Sequence, residues 1–238
     1  MPKNRRMRQN ADMDRAKPAY VNAPADAAIA RQDAALRPAQ STLATRGKRR
    51  IYRKGTLLIE EGDQGDSVFF ILSGRVKVFA TDDEGREFVH SILGAGDYFG
   101  EMSLDGGPRS ASVITMEPTE CAVLGKADVR ARMAADPDFA FELLTTAIGR
   151  AREATRVARG LALGGVYSRL AAFLEIAARP GADGARIIGD VLTQQEIASR
   201  IGSSREMVSR IMKDLETGGY IEIRARHIVL TRALPLKW

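Results

Sequence analysis

The sequence predicts an α+β fold, in which a long dimerisation helix joins an N-terminal β-roll to a C-terminal winged helix-turn-helix. Between Ile51 and Leu124, glycine-containing turns separate short apolar runs about every ten residues, which is typical of an all-β roll or barrel. After Gly125 glycine becomes rare and helix-forming residues dominate. The C-terminal segment holds two helix starts and then two short alternating runs, which indicates a helix-turn-helix with a β-hairpin wing.

These changes in composition divide the chain into four parts. We predict a disordered basic extension over residues 1–45, a β-roll over 46–126, connecting and dimerisation helices over 127–163, and a winged helix-turn-helix over 164–238. Residues 1–50 contain twelve Lys and Arg against four Asp, so the basic excess of the chain lies in this tail. The tail has too few large apolar residues to bury much surface. Two interpretations of the tail are open. Either its basic side chains contact DNA phosphates, or the tail is solvated and has no specific role, which we favour.

In the β-roll segment, Val76 and Val78 alternate with Arg75 and Lys77, which is the period of a half-buried strand. Cys121, the only cysteine, is expected to be a small buried hydrophobe on such a strand.

A long helix is predicted to begin at Asp136-Pro137, with the aspartate as its cap and the proline in its first turn. Small and apolar residues then recur in alternating steps of three and four, which is a heptad seam of about three heptads. The seam consists of Phe141, Leu144, Ile148, Ala151, Thr155, Ala158 and Ala162. This helix packs on its own β-roll or pairs with a second copy in a parallel dimer; we favour the dimer.

The last segment carries two predicted capping boxes, Thr193-x-x-Glu196 and Ser203-x-x-Glu206. A sharp turn is expected at Gly202, between the two helices. The run GGYIEIRARHIVLT then indicates the two strands of a wing.

The stretch FGEMSLDGGPRSASV, residues 99–113, combines one acid and one base with several glycines. Glycine lets a backbone approach a ligand closely and direct its amides inward. The guanidinium of Arg109 and the hydroxyl of Ser110 suit a phosphate, whereas Glu101 suits a group that donates hydrogen bonds, such as a sugar hydroxyl. Together they predict a nucleotide site.

Three runs in this order resemble the CRP/FNR family of bacterial transcription regulators over residues 46–230. FGEMSLDGGPRSASV resembles the phosphate-binding cassette of cyclic-nucleotide-binding domains, EEGDQGDSVFFILSGRVKVF the preceding hairpins, and LTQQEIASRIGSSREMVSRIMKDLE the DNA-reading part. The resemblance implies that Glu101 binds the ribose 2′-hydroxyl and that Arg109 and Ser110 hold the cyclic phosphate. Gly100 and Met102 would line the cassette with their backbone. The alternative for Glu101 and Arg109 is a salt bridge that only orders the loop.

The resemblance also bears on the effector. The cassette is shorter between its acid and its base than in many relatives, so its small helix must be tighter. Family activators for cyclic AMP place a Thr or Ser pair against the adenine, and here those positions are Ala154 and Thr155. One hydroxyl of that pair is missing, which argues against strict base selectivity, but the phosphate and ribose contacts remain. Cyclic AMP is still the first candidate, cyclic GMP the second and a cyclic dinucleotide the third.

In the second helix of the pair, Arg205, Glu206, Ser209 and Arg210 share one face, where a recognition helix meets base edges. Arg205, Glu206 and Arg210 resemble the family branch that reads TGTGA-like half-sites, whereas Ser209 is shared with the branch that reads TTGAT-like sites. We favour the TGTGA-like half-site. Further DNA-contact candidates, mostly to phosphates, are Ser204, Lys213, Arg200 and Arg226.

Other classes are disfavoured by the sequence. A single cysteine excludes an all-cysteine iron–sulfur or zinc site, and His90 and His227 are expected to be structural or solvated rather than haem ligands. We find no nucleophile–base arrangement, so an enzyme is not expected. No apolar run approaches the ~18 residues of a membrane span, and the N-terminus does not resemble a secretory signal, which predicts a cytoplasmic protein.

The predicted function is thus that of a homodimeric regulator that binds a cyclic nucleotide, double-stranded DNA and RNA polymerase. Two rivals stay open: a ligand-independent or cyclic-dinucleotide-responsive regulator of the same fold, and a nucleotide-sensing module that binds a protein partner.

Overall fold

The computed structural model describes residues 47–181 and 185–235, so the predicted extension over residues 1–45 lies outside the described residues. It has the predicted α+β architecture. The N-terminal part is a roll of two four-stranded antiparallel sheets, with strand orders β1-β8-β3-β6 and β2-β7-β4-β5. Its strands are β1 (Lys48–Tyr52), β2 (Leu57–Ile59), β3 (Ser67–Ser73), β4 (Val76–Thr81), β5 (Glu87–Leu93), β6 (Tyr98–Phe99), β7 (Ser112–Thr115) and β8 (Thr119–Gly125).

The two sheets enclose an apolar core that fixes the cassette between β6 and β7. Phe69 and Phe99 stack with their ring centroids 4.8 Å apart at the point where the cassette leaves β6. Cys121 is fully buried in this core, and burial raises the pKa of its thiol to about 12, so the prediction of an inert apolar residue is confirmed.

Three helices follow the roll: α1 (Lys126–Ala135), α2 (Pro137–Leu163) and α3 (Val166–Ala177). The predicted start of α2 is confirmed, because the carboxylate of Asp136 accepts a hydrogen bond from the Phe139 amide at 3.2 Å and proline occupies the first turn. At 27 residues α2 is about 40 Å long. None of the helices in the described ranges is long and apolar enough to cross a membrane.

The helix α2 has two distinct faces. One face carries Phe139, Glu153 and Gly160, all buried against the rest of the protomer. The predicted heptad seam lies on another face and is exposed along its whole length. Its large members are well exposed, with Phe141 at 69% and Leu144 at 54% of their full area. The packing of α2 on its own roll therefore leaves the seam without a cover within the described protomer.

The C-terminal part is a winged helix-turn-helix. Helices α4 (Gln194–Ile201) and α5 (Arg205–Thr217) pack with α3 against a four-stranded sheet of order β11-β12-β10-β9. The strands are β9 (Ala178–Pro180), β10 (Arg186–Ile188), β11 (Ile221–Arg224) and β12 (His227–Leu230). The last two form the predicted wing, whose tip has Ala225 and Arg226 at positive φ.

The first predicted capping box is confirmed and the second is wrong. Thr193 and Glu196 satisfy each other's backbone amides at the start of α4. The cap of α5 is Ser204 rather than Ser203, since its hydroxyl accepts from the Met207 amide at 3.2 Å. Gly202 ends α4 in a left-handed conformation, and the amide of Ser203 still bonds back to α4, so α5 starts one residue later than expected.

We expect Gly74→Ala to destabilise the protein by about 3 kcal/mol, because it adds steric overlap to an unfavourable backbone. Gly74 has φ +84°, and an added Cβ would lie 2.5 Å from the Pro118 carbonyl oxygen. Gly85→Ala is the matched control, since Gly85 has φ +77° but no atom within 4 Å of the added Cβ. The control should cost only about 1 kcal/mol. Urea unfolding of both variants measures this, and equal losses would contradict the packing argument.

Candidate functional site

A cavity of about 730 Å³ lies between the β-roll and α2. Apolar side chains of the roll and small residues of α2 form most of its wall. The polar side chains that reach it are fewer, namely Glu101, Ser110, His90, Ser91, Arg150 and Glu153. A concave, mostly apolar space with a few placed polar groups is what a small-molecule site requires.

The cassette enters the cavity as a short, tight helix. Residues Glu101–Asp105 form a 3₁₀ helix bounded by Gly100 at φ +85° and Gly106 at φ +101°. Both glycines are in the left-handed region, which other residues rarely adopt. The tighter helix expected from the short cassette is confirmed, and it aims the side chain of Glu101 into the cavity.

Glu101 is paired with Arg150 of α2, a residue that the sequence reasoning missed. One guanidinium nitrogen of Arg150 donates to the Glu101 carboxylate and another to the Tyr98 carbonyl oxygen. The guanidinium also lies 4.7 Å from the centre of the Tyr98 ring. The hydroxyl of Tyr98 donates to the Leu143 carbonyl at 3.0 Å. Tyr98 therefore links the roll to α2 through both its carbonyl and its hydroxyl. The register that placed Ala154 on the cavity puts Arg150 one helical turn earlier, and that signal could have found it.

Arg109 closes the two ends of the cassette instead of pairing with Glu101. Its guanidinium donates to the Gly100 carbonyl at 2.8 Å, the Ser103 hydroxyl at 2.8 Å and the Ser67 carbonyl at 3.0 Å. Burial lowers the pKa of this guanidinium, while nearby carboxylates act in the opposite direction. The alternative of a Glu101–Arg109 salt bridge is therefore wrong. Arg109 does not line the cavity; its neighbour Ser110 does.

The remaining predicted ligand residues divide into two groups. Met102 lies at the cavity wall, 63% exposed, with its sulfur 3.1 Å from the Ser110 hydroxyl. Ala154 also lines the cavity. Thr155 does not: it is exposed on the seam, and its hydroxyl donates to the Ala151 carbonyl at 2.9 Å. Thr155 therefore does not contact the cavity of its own protomer.

His90 lines the cavity from β5, where the sequence predicted a structural or solvated residue. Partial desolvation at the cavity wall lowers the pKa of its imidazole, although the residue as a whole is exposed. His227 is structural, since its Nδ1 lies 3.1 Å from the Ile188 carbonyl oxygen.

The second candidate surface is the outer face of α5. Val208, Ile211 and Leu215 are buried, so the opposite face of the helix is turned outward. That face presents most of the predicted DNA contacts. The exposed members on α5 are Arg205, Glu206, Arg210 and Lys213, whereas Ser209 is half-buried. Ser204 caps the helix, and Arg226 is exposed at the wing tip. The positive N-terminus of the helix and the exposed arginine and lysine side chains favour contact with a phosphate backbone.

Arg200 is not available for a phosphate, which corrects the sequence prediction. It is only 3% exposed, because α4 turns it into the core, where its guanidinium lies 5.8 Å from the centre of the Phe173 ring.

The cavity and the helix-turn-helix share two side chains. Phe88 and Leu161 line the far end of the cavity, and both also pack under Gly202 in the turn between α4 and α5. An added Cβ at Gly202 would lie 2.9 Å from Leu161 and 3.3 Å from Phe88. Nearby, Arg169 donates to the carbonyls of Ile201 and Gly202 and to that of Gly164, at the end of α2. Two side chains of the far cavity wall are thus in direct contact with the turn of the helix-turn-helix.

Comparison with known proteins follows the same division. Residues 49–136 match the family described as cyclic nucleotide-binding domain, and residues 168–236 match the Crp-like helix-turn-helix domain. The chain is 33% identical over 192 residues to the cAMP-activated global transcriptional regulator Vfr of Pseudomonas aeruginosa, covering 76% of this chain and 88% of Vfr. It is 31% identical over 184 residues to a CRP-like cAMP-activated global transcriptional regulator of Mycobacterium tuberculosis, covering 76% and 82%.

Solved structures show the same fold. The c-di-GMP responsive global regulator CLP of Xanthomonas campestris matches with a TM-score of 0.68 and 25% identity, over 79% of this chain and 95% of that one. A transcriptional regulator of the CRP/FNR family from Thermus thermophilus matches with a TM-score of 0.64 and 24% identity, over 78% and 94%. With a cyclic nucleotide-binding domain, a Crp-like helix-turn-helix and relatives of this similarity, the chain belongs to the CRP/FNR family of DNA-binding transcription regulators, not to a family of enzymes.

Proposed function

We propose that this protein is a cytoplasmic homodimer that binds a cyclic nucleotide in the roll and, in response, a palindromic TGTGA-like operator, where it meets RNA polymerase. The observation that carries the proposal is the cavity itself. One of its ends is marked by the Glu101–Arg150 pair, and its other end lies directly under the turn of the helix-turn-helix.

The polar end of the cavity suits a ribose cyclic phosphate. Glu101 can accept from a ribose hydroxyl, while Arg150 pairs with the carboxylate and holds its direction. Ser110 offers a hydroxyl to the phosphate from the same end. Arg109 holds the Gly-rich backbone in shape, and its predicted contact with the phosphate requires it to leave its present bonds. Gly100 and Met102 contribute backbone to this end.

Cyclic AMP is the first candidate effector, because the relatives from Pseudomonas aeruginosa and Mycobacterium tuberculosis are named as cAMP-activated. Cyclic GMP is the second. A cyclic dinucleotide is third, on the similarity to the c-di-GMP responsive regulator CLP.

The exposed seam of α2 supports the homodimer. Ala151 and Ala158 belong both to the seam and to the cavity wall, so a second α2 on the seam would lie at the open side of the cavity. Thr155 lies between them on the seam and would then reach a bound nucleotide only across the dimer. Pairing would also set the two α5 helices about 34 Å apart, as two successive major grooves require.

The response follows from the two shared side chains. A base that occupies the far end of the cavity presses on Phe88 and Leu161, which support Gly202. An effector that contacts these residues differently in two arrangements of the helix-turn-helix shifts the population toward one of them. A coupling of this kind is typically worth about 1–3 kcal/mol, or about 5–150-fold in affinity.

We expect Arg150→Gln to weaken binding of cyclic AMP by about 10–100-fold, since a charged hydrogen-bonded contact is worth about 1.5–3 kcal/mol. Isothermal titration measures the loss. Arg152→Gln is the matched control, because Arg152 is exposed two residues away and does not line the cavity. Equal affinity for the wild type and the Arg150 variant would show that the ligand lies elsewhere.

We expect Leu144→Glu to convert the homodimer into a monomer, because it places like charges opposite each other in the paired seam. Sedimentation equilibrium reports the mass directly. Ile51→Glu on β1 is the control, since Ile51 is also an exposed apolar residue, at 78%, but lies off α2. A dimer that survives the first change would reject the seam as the interface.

We expect Arg205→Ala to cost about 1–3 kcal/mol on an operator with the TGTGA half-site and almost nothing on random DNA, because an arginine–guanine pair carries sequence information. Lys213→Ala should weaken both by a similar factor and reduce the salt slope by about one, as a phosphate contact does. Fluorescence anisotropy at several salt concentrations separates the two effects. A uniform loss in the Arg205 variant would contradict base reading by this residue.

A further inference from the structure

Glu153 is a buried acid for which the contacts above give no role. It lies on the inward face of α2, 8% exposed, and its carboxylate accepts from Arg156 one turn further along the helix. Among the described residues that line the cavity, only Glu101 and Glu153 are acidic. The pair with Arg156 offsets the cost of burying this charge. Its place in the wall also lets the carboxylate meet a molecule that fills the cavity.

The position of Glu153 along α2 puts it beside the base of a bound nucleotide. The polar end of the cavity is marked by Arg150, which holds the Glu101 carboxylate. Glu153 comes three residues later, about 4.5 Å further along the helix axis, in the direction of Leu161 and Phe88. For a nucleotide with its ribose at Glu101, the remaining space for the base runs along the cavity toward Leu161 and Phe88.

The chemistry of a carboxylate distinguishes the two purines. An ionised carboxylate only accepts hydrogen bonds, through two oxygens side by side. Guanine presents two adjacent donors on its Watson–Crick edge, the N1 hydrogen and the N2 amino group. Adenine presents one donor, the N6 amino group, next to the N1 acceptor, which would face the second oxygen unfavourably. A site whose polar group is left unmatched rejects the wrong partner strongly.

We propose that Glu153 is the base-reading residue of the cavity and that it makes cyclic GMP bind at least as tightly as cyclic AMP. This inference rests on the proposed cyclic-nucleotide function and concerns only the choice of base, where it departs from the order of effectors that the relatives' names suggest. Glu153 takes the part that a hydroxyl pair would have played, since Ala154 has no polar group and Thr155 points away from its own cavity.

The test is isothermal titration of the full chain with cyclic GMP, cyclic AMP and cyclic IMP, which keeps the N1 hydrogen but lacks the N2 amino group. In the wild type, cyclic GMP should bind at least as tightly as cyclic AMP and about tenfold more tightly than cyclic IMP. Glu153→Gln should shift the ratio of the two dissociation constants about tenfold toward cyclic AMP, because an amide offers one donor and one acceptor, which matches adenine. Arg152→Gln should leave the ratio unchanged.

The wild-type titrations need no variant and keep the proposal falsifiable if Glu153→Gln does not fold. A wild type that binds cyclic AMP more tightly than cyclic GMP would overturn the base-reading role. So would a ratio that Glu153→Gln does not change. In both cases binding that is lost in Arg150→Gln would leave the proposed function standing. A wild type that binds none of the three would overturn both.

Discussion

The ion pair between Glu101 and Arg150 joins the two halves of the effector site. It connects the cassette, which the roll presents, to the helix α2, which carries both the far wall of the cavity and the exposed seam. Because Arg150 also holds the Tyr98 carbonyl, the pair fixes the distance between roll and helix as well as the direction of the carboxylate. A cavity formed in this way depends on the relative position of two elements, and that makes it responsive to what occupies it.

The helix α2 contributes to the cavity, to the seam and to the support of the helix-turn-helix. Its inward face contributes Arg150 and Glu153 to the site, its outer face forms the seam, and Leu161 near its end supports the turn of the helix-turn-helix. The guanidinium of Arg169 then links the carbonyl at Gly164 to those of the turn. We propose that α2, which is about 40 Å long and stiff along its axis, transmits small changes in its packing without any change in its own structure.

Features with a local physical cause could be predicted from the sequence. The heptad seam, the cap at Asp136 and the Gly202 turn all follow from spacing or from one residue's preference, and all are present in the structure. Contacts between distant residues could not be predicted in this way. The register of α2 places Arg150 on the cavity side, but its pairing with Glu101, 49 positions away, depends on the packing of α2 on the roll. The burial of Arg200 likewise depends on how α4 packs against α3.

The most direct test of the account is the affinity of the wild-type protein for a palindromic TGTGA operator, measured by fluorescence anisotropy with and without saturating cyclic AMP or cyclic GMP. The account predicts that at least one nucleotide tightens operator binding about 5–150-fold. The same nucleotide should have no effect on Phe88→Ala, which removes the support under Gly202, although it still binds that variant. Equal operator affinity with and without both nucleotides in the wild type would contradict the claim that the cavity controls the DNA-reading unit.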